Sequence, residues 1–397
     1  MKSTLQQAVI SICLVLLSVI PSVVGLATPK SRVSIVTGSR GYLGREIAHE
    51  IIESAIVDCS IQNSDELICL VREQHVEEEQ KYWDNIMKTR YDEGILPTSS
   101  TTDDAIRVKV MAYDMLDGGT TLTKAIQHAF SNNDKDDDTC QISCCIYHVA
   151  SIFTPTDDHY NMALENVKGA EDLMNTVAKV APLKNIRVVL TSSTAAVRGS
   201  NQKPSNGKYY TYQDWNTESE LGKNWGNSYQ YSKAASEKKA WKISKTHGVP
   251  MVSILPSFIF GPPSFRDASS SYSIIMVGSW VKGEAAVQSR LCVDVRDVAK
   301  AHVKAGTLQG AIGERLIVST EARISSEKTA EALKSIANDT GLGDPDKIFP
   351  DTNFDGGAIP IGNKEVDSEE RLKNILGITC RPVEETIRDM AKVLLEN

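Results

Sequence analysis

The chain has 397 residues, 41% hydrophobic and 24% charged, a globular balance with enough apolar material for one large domain and a smaller lobe. Its net charge of −8, with no Lys/Arg-rich segment interleaved with aromatics, excludes a nucleic-acid partner. The cysteines form no framework: Cys13, Cys59, Cys69, Cys292 and Cys380 are scattered. Cys144 and Cys145 are neighbours that a strand points to opposite faces, so core thiols are expected and no metal site.

The first predicted element is a leader over residues 1–27. Lys2 precedes an apolar run at 8–24, broken only by Ser11, Ser18, Pro21 and Ser22, and small residues follow at Gly25 and Ala27. The layout is that of a signal peptide cut after Gly25 or Ala27, or of an uncleaved anchor, the run being close to the ~17-residue lower limit for spanning a bilayer. Either form predicts the secretory pathway or ER, with a membrane tether only through 8–24. Val24-Gly25-Leu26-Ala27-Thr28-Pro29 also resembles the cleavage motif of plastid proteins imported through the ER in algae with complex plastids, which implies that route as the alternative.

Residues 33–37 form an apolar, β-branched strand running into Gly38-Ser39-Arg40-Gly41-Tyr42-Leu43-Gly44. A helix follows over 45–54, with Ile47, Ala48, Ile51 and Ile52 at helical spacing. Glycines there let the backbone turn sharply and bring a pyrophosphate to the helix N-terminus, where unpaired N–H groups favour an anion. Further strands are predicted near 67–71, 106–111, 142–148, 186–192 and 250–255, separated by helical or polar stretches. This alternation predicts a doubly wound α/β Rossmann fold over 32–256, its parallel sheet covered on both faces.

Two polar insertions interrupt the pattern. Residues 73–104 carry a charged helix over 77–88 and a Ser/Thr-rich stretch at 98–102. Residues 131–139 hold Asp134, Asp136, Asp137 and Asp138, which read as a solvated loop tip because no calcium-loop spacing follows. After Pro256 the pattern loosens into a Ser-rich loop at 264–273, helices near 274–282, 326–338 and 383–395, and a strand near 315–318. Residues 257–397 are thus expected to be mainly a substrate-binding lobe, with the 315–318 strand returning to the sheet.

Two elements add chemistry. Tyr229 and Lys233 open a helical stretch one turn apart, on one face. Upstream, the 186–192 strand ends in Thr191-Ser192-Ser193-Thr194, which puts hydroxyls at the carboxyl edge of the sheet, where ligands bind in open α/β folds.

Together these residues resemble the extended short-chain dehydrogenase/reductase superfamily, also called the NAD-dependent epimerase/dehydratase superfamily. Residues 229–241, Leu255-Pro256-Ser257-Phe258-Ile259-Phe260-Gly261-Pro262, 293–302 and 366–377 look like its dihydroflavonol reductase and cinnamoyl-CoA reductase branch. Epimerases and dehydratases usually show Asn-x-Tyr-Gly-Pro where this chain has Phe258-Ile259-Phe260-Gly261-Pro262, and dehydratases place Asp-Glu beside the catalytic hydroxyl, where this chain has Ser192-Ser193.

The resemblance implies an oxidoreductase interconverting a carbonyl and an alcohol. Tyr229 would exchange a proton with the carbonyl oxygen, and Lys233 would lower the Tyr229 pKa and reach the nicotinamide ribose. Ser193 would hold the carbonyl, and Asn166 would organise the proton relay. Residues 38–44 would cradle the pyrophosphate, Asp114-Met115 would meet adenine, and Val149, Ala150, Thr191, Pro256 and Phe258 would pass beside the coenzyme. Arg72 after the second strand, with Arg40 in the glycine turn, suits a 2′-phosphate, so NADP is the expected cofactor, with NAD the alternative. His148 is expected to pack or bond locally.

Tyr209, Tyr210, Tyr212, Trp215 and Trp225 offer aromatics for a pocket around a small-molecule carbonyl or alcohol. A 3β-hydroxysteroid-type dehydrogenase, a thioester reductase and a non-catalytic nucleotide-sensing protein stay open as alternatives. Oligomeric state is not legible.

Overall fold

The computed structural model describes residues 31–57, 65–93, 106–131, 142–180, 185–264, 271–354 and 356–396. The leader, the 98–102 stretch, the acidic run, Cys13 and Cys59 lie outside the described residues.

The first part alternates strand and helix: β1 (Ser31–Thr37), α1 (Tyr42–Val57), β2 (Glu66–Val71), α2 (Val76–Asp92), β3 (Arg107–Ala112), α3 (Thr120–Ser131), β4 (Ile142–His148), α4 (His159–Val180), β5 (Asn185–Thr191), α5 (Trp225–His247) and β6 (Met251–Pro256). Then come β7 (Phe258–Phe260), α6 (Tyr272–Val281), β8 (Cys292–Asp294), α7 (Val295–Thr307), β9 (Arg315–Val318), α8 (Ser326–Thr340), α9 (Glu369–Leu376) and α10 (Val383–Leu395). Helices α7 and α9 add to the elements that the pattern after Pro256 predicts.

Seven parallel strands run in the order β3-β2-β1-β4-β5-β6-β9, the doubly wound Rossmann arrangement. Away from its β3 edge the sheet is buried on both sides, so its inner strands read as apolar runs; every residue of β2 and β6 is buried. Alternation sends Cys145 into the core layer shared with Ile47 of α1 and Val298 of α7. Cys144 goes into the opposite layer, with Leu122 of α3, Leu173 of α4 and Ile243 of α5.

The segment after Pro256 contributes to this frame. β9 pairs with β6 at the sheet edge, and α7 packs on α1 and against β4, β5 and β6. Asp294 caps α7, its carboxylate accepting from the Arg296 N–H at 2.8 Å. A second small parallel sheet joins Phe258 to Cys292 and Phe260 to Asp294. Two features converge beyond the carboxyl ends of the main strands. The order reverses between β1 and β4, opening a crevice there, and β7 carries Phe258 past the end of β6.

Candidate active site

A cleft of about 950 Å³ opens at this edge. One end of it is the turn from β1 into α1. Gly38 adopts φ +67°, and its N–H bonds the Leu70 carbonyl at 3.0 Å. A Cβ on Gly38 would lie 3.1 Å from the backbone of Ala150, and one on Gly44 only 2.2 Å from the Gly38 carbonyl oxygen. Side chains at either position would block the turn that brings the helix N-terminus to the crevice. Thr37 Oγ1 ties the two strand ends, accepting from the N–H groups of Val149 and Ala150 at 3.1 Å each and meeting His148 Nδ1 at 2.9 Å.

Gly38, Arg40, Gly41, Tyr42, Leu43 and Gly44 line the cleft. Ser39 is not among the lining residues: it is fully buried and its hydroxyl bonds the Leu70 carbonyl at 3.3 Å. Tyr42 donates to the Gly261 carbonyl at 2.6 Å, fastening the turn to the loop after β7.

After β2, Arg72 is exposed and lines the cleft. Arg40 also lines it, but its guanidinium bonds His75 Nδ1 and donates to Glu78 at 3.1 Å. His75, which sequence reasoning missed, joins the lining from the short turn Glu73–His75. The signal was its spacing, three residues beyond Arg72. Asp114 and Met115 are not among the lining residues. The Asp114 carboxylate accepts from the N–H of Leu116 at 2.8 Å, and Met115 packs so closely on Gly169 that a Cβ there would sit 2.3 Å from its Cγ.

Helix α5 brings Tyr229 and Lys233 to the cleft one turn apart. Asn224 starts it, its side chain accepting from the Asn227 N–H at 2.9 Å. Ser192 and Ser193 lie just past β5 and divide two tasks. Ser192 donates to Glu237 Oε2 at 2.8 Å. Ser193 accepts from the Ala195 N–H at 3.1 Å and lines the cleft beside Tyr229, whose phenolate it favours. Lys233 Nζ donates to the Thr191 carbonyl at 3.3 Å and stands 5.9 Å from the centroid of the Tyr229 ring. Thr191 Oγ1 is engaged with His302 Nε2 at 2.8 Å.

The electrostatics differ from the sequence expectation. Burial pushes the Tyr229 pKa above its usual value, with Ser193 opposing, and Lys233 does not bring it down. Lys233 is itself lowered by burial to about 8, Glu237 opposing. The penalty of desolvating a phenolate outweighs the opposing influence of Ser193. Tyr229 is thus held as a neutral phenol, the form a proton donor requires. Burial also lowers His148 to about 3, which leaves it a neutral hydrogen-bonding residue.

Asn166 on α4 clamps the chain after β4: Oδ1 accepts from the Ile152 N–H at 2.7 Å and Nδ2 donates to the Ile152 carbonyl at 3.0 Å. Its own carbonyl accepts from Ser236 Oγ at 3.2 Å. A polar cavity of about 20 Å³ separates Asn166 from Lys233, bounded also by His148, Thr191 and Glu237. That is room for about one water.

The apolar wall is made by other residues than most of those the sequence offers. Phe153 sits 4.6 Å from Tyr229, 5.6 Å from Trp225 and 6.3 Å from Phe258, and Tyr272 closes the group 5.6 Å from Phe153 (ring centroids). Pro256 and Phe258 both line the cleft. Of the five loop aromatics, only Trp225 reaches it. Trp215 lies under Arg315 at 3.7 Å, Tyr212 under Arg371 at 3.7 Å and Tyr209 beside Lys364 at 4.8 Å, while Tyr210 is buried and bonds the Gln202 carbonyl. Cationic partners on β9, α9 and the segment before α9 draw those rings away. Phe153 was not singled out because it stands alone in a polar stretch.

The profile of the family described as male sterility protein matches residues 36–290. The NADPH-dependent methylglyoxal reductase of Saccharomyces cerevisiae is 27% identical over 297 residues, covering 68% of this chain and 80% of that protein. A cinnamoyl-CoA reductase of Medicago truncatula is 29% identical over 256 residues, 63% of this chain and 73% of that protein. In three dimensions the chain is similar to yeast methylglyoxal/isovaleraldehyde reductase, solved in complex with NADPH, with TM-score 0.69, 24% identity, and coverage of 92% of this chain and 98% of that one.

Proposed function

The chain belongs to the male sterility protein family, within the extended short-chain dehydrogenase/reductase superfamily, and on that premise we propose that it is an NADP-dependent oxidoreductase that interconverts a carbonyl and an alcohol. The observation that carries this reading is the placement of Tyr229 and Lys233, one helical turn apart on α5, with Ser193 in the same cleft as the glycine turn.

The cleft fits a dinucleotide. The turn has no room for a Cβ at Gly44, Gly38 holds φ +67° against Ala150, and α1 points its N-terminus into the crevice. Residues 38 and 40–44 would hold the pyrophosphate, Val149 and Ala150 would flank the coenzyme, and Arg72 with His75 would meet the 2′-phosphate. Similarity to the NADPH-dependent methylglyoxal reductase supports the phosphorylated coenzyme. When bound, the nicotinamide supplies a hydride to the carbonyl carbon.

The chain's own groups do the rest. Ser193 donates to the carbonyl oxygen and orients it; Tyr229 gives that oxygen a proton. Lys233, held by the Thr191 carbonyl, would reach the ribose and pass a replacement proton through the Asn166 cavity. Phe153, Trp225 and Phe258 exclude water.

The test is a panel of aldehydes, ketones and acyl thioesters with NADPH, followed by absorbance of the reduced coenzyme. Oxidation of NADPH with at least one carbonyl class is expected. Coenzyme binding without turnover on any member would leave a nucleotide-sensing protein instead.

The leader supports residence in the secretory pathway or ER, with a plastid reached through the ER as the alternative. Residues 1–31 fused to a fluorescent protein are expected to give a reticular pattern. A plastid pattern would select the alternative, and a diffuse cytosolic signal would defeat both.

A further inference from the structure

Three arginines line the cleft together with Tyr229 and Ser193: Arg198 after the 194–196 turn, Arg290 just before β8, and Arg323 after β9. One carboxylate answers two of them. Glu365 accepts from Arg323 Nε at 3.1 Å and Nη2 at 3.0 Å, and lies 3.0 Å from Arg198 Nη2. Arg290 pairs with no carboxylate among the described residues; it bonds the Gln288 side chain and sits 5.2 Å from the Phe258 ring centroid. Arg198 Nε and Arg290 Nε are buried without a hydrogen-bond partner among the described residues. Ring contacts run from Tyr229 through Phe153 to Phe258, so Arg290 is joined to the proposed proton donor by one continuous wall.

Three guanidiniums against one carboxylate leave two positive charges unmatched among the described residues. Burial and the nearness of Arg323 and Arg198 disfavour the charged form of Arg290, yet a guanidinium does not lose its proton in a protein. Partly buried unpaired charge is costly, and a site built only for stability would supply a second carboxylate. The planar fork of arginine matches a carboxylate or phosphate, through two parallel hydrogen bonds.

We propose that the substrate carries an oxyanion, a carboxylate or a phosphate, which Arg290 binds with Arg198 and Arg323 while the reacting carbonyl lies at Tyr229. The proposal rests on the oxidoreductase reading for the carbonyl, but the anion site can be tested apart from it.

Two matched pairs serve as probes: succinic semialdehyde against its methyl ester, and glyceraldehyde 3-phosphate against glyceraldehyde. With the full chain and saturating NADPH, kcat/KM is expected to favour the anionic member of at least one pair by roughly tenfold or more. The pair that discriminates tells carboxylate from phosphate. The ratio is expected to collapse toward unity in Arg290→Gln and to be partly kept in Arg290→Lys, which retains the charge without the fork.

Calorimetric titration with succinate and with inorganic phosphate, in the presence of NADPH, reads binding without turnover. The wild type is expected to bind at least one of them, and Arg290→Gln roughly tenfold more weakly. Binding of neither anion by the wild type, or equal binding by Arg290→Gln, would overturn the proposal. Anion binding lost in Arg290→Gln, with no carbonyl reduced by the wild type, would keep the anion site and sink the oxidoreductase reading. If Arg290→Gln does not fold, the same ratios measured in Arg290→Lys and Arg198→Gln decide, unchanged ratios in both counting against the site.

Discussion

Trp225 and Tyr229 lie one helical turn apart with their rings nearly parallel, centroids 5.8 Å apart and planes inclined by 12°. The indole is pinned by a hydrogen bond of 3.0 Å from Nε1 to the Thr154 carbonyl, and Phe153 covers the phenol from a second direction at 4.6 Å. Enclosed in this way, the Tyr229 ring is fixed on the cleft wall that Ser193 shares. The enclosure is also what desolvates it and holds its pKa up.

Tyr229→Phe is therefore expected to lower kcat by ~10²–10⁴-fold, with coenzyme affinity nearly unchanged. Lys233→Ala is expected to lower turnover and coenzyme affinity together, because in the proposed mechanism that ammonium would serve both the proton path and the ribose. Steady-state kinetics and coenzyme titration separate the two outcomes, and near wild-type kcat in Tyr229→Phe would refute the assignment.

Arg72→Ala is expected to weaken NADPH binding by roughly tenfold or more and to leave NADH nearly unchanged, since a charge-assisted hydrogen bond to phosphate is worth ~1.5–3 kcal/mol. Arg40→Ala is expected to discriminate less, because the Arg40 guanidinium is already engaged by His75 and Glu78. Fluorescence titration with both coenzymes checks this. Equal losses for NADPH and NADH in Arg72→Ala would remove Arg72 from the phosphate site.

Burial lowers Lys233 from 10.5 to about 8, so between those values the unfolded chain binds more protons than the folded one. Stability from this residue then rises with pH across that window, and the full cost of burying the ammonium is present below pH 8. Lys233→Met is expected to raise the stability of the coenzyme-free protein at pH 7 by roughly 1–3 kcal/mol, an advantage that shrinks toward pH 10.5. Thermal melts of both proteins across that range measure it; a constant difference would show that Lys233 is not the titrating group.

Arg315 on β9 grips Glu237 on α5 through Nε at 2.7 Å and Nη2 at 3.1 Å, and Glu237 is fully buried beside Ser192. Arg315→Met strands that carboxylate and is expected to cost about 3–5 kcal/mol in urea unfolding. The double change Arg315→Met with Glu237→Leu is expected to recover a large part of the loss. If the single change costs under about 1 kcal/mol, the pair does not act as a buried one.

What the sequence determined by itself is what short-range rules control. The β-branched run ending in Gly38 specifies a strand and a turn through backbone freedom alone. Apolar alternation at Cys144 and Cys145 specifies a strand between two cores, and four-residue spacing puts Tyr229 and Lys233 on one helical face. Each depends on neighbours within a turn or two. The tertiary structure decided which of these residues share a space and at what electrostatic cost. It drew Tyr209, Tyr212 and Trp215 under cations and brought Phe153, Phe258 and Tyr272 to Trp225 instead. It turned Asp114 back on its own loop, engaged Arg40 with Glu78, and gathered Arg198, Arg290 and Arg323 from distant parts of the chain. The direction of the Tyr229 pKa belongs to the same class, because burial is a sum over elements far apart in sequence, and spacing along a helix carries no record of what packs against it.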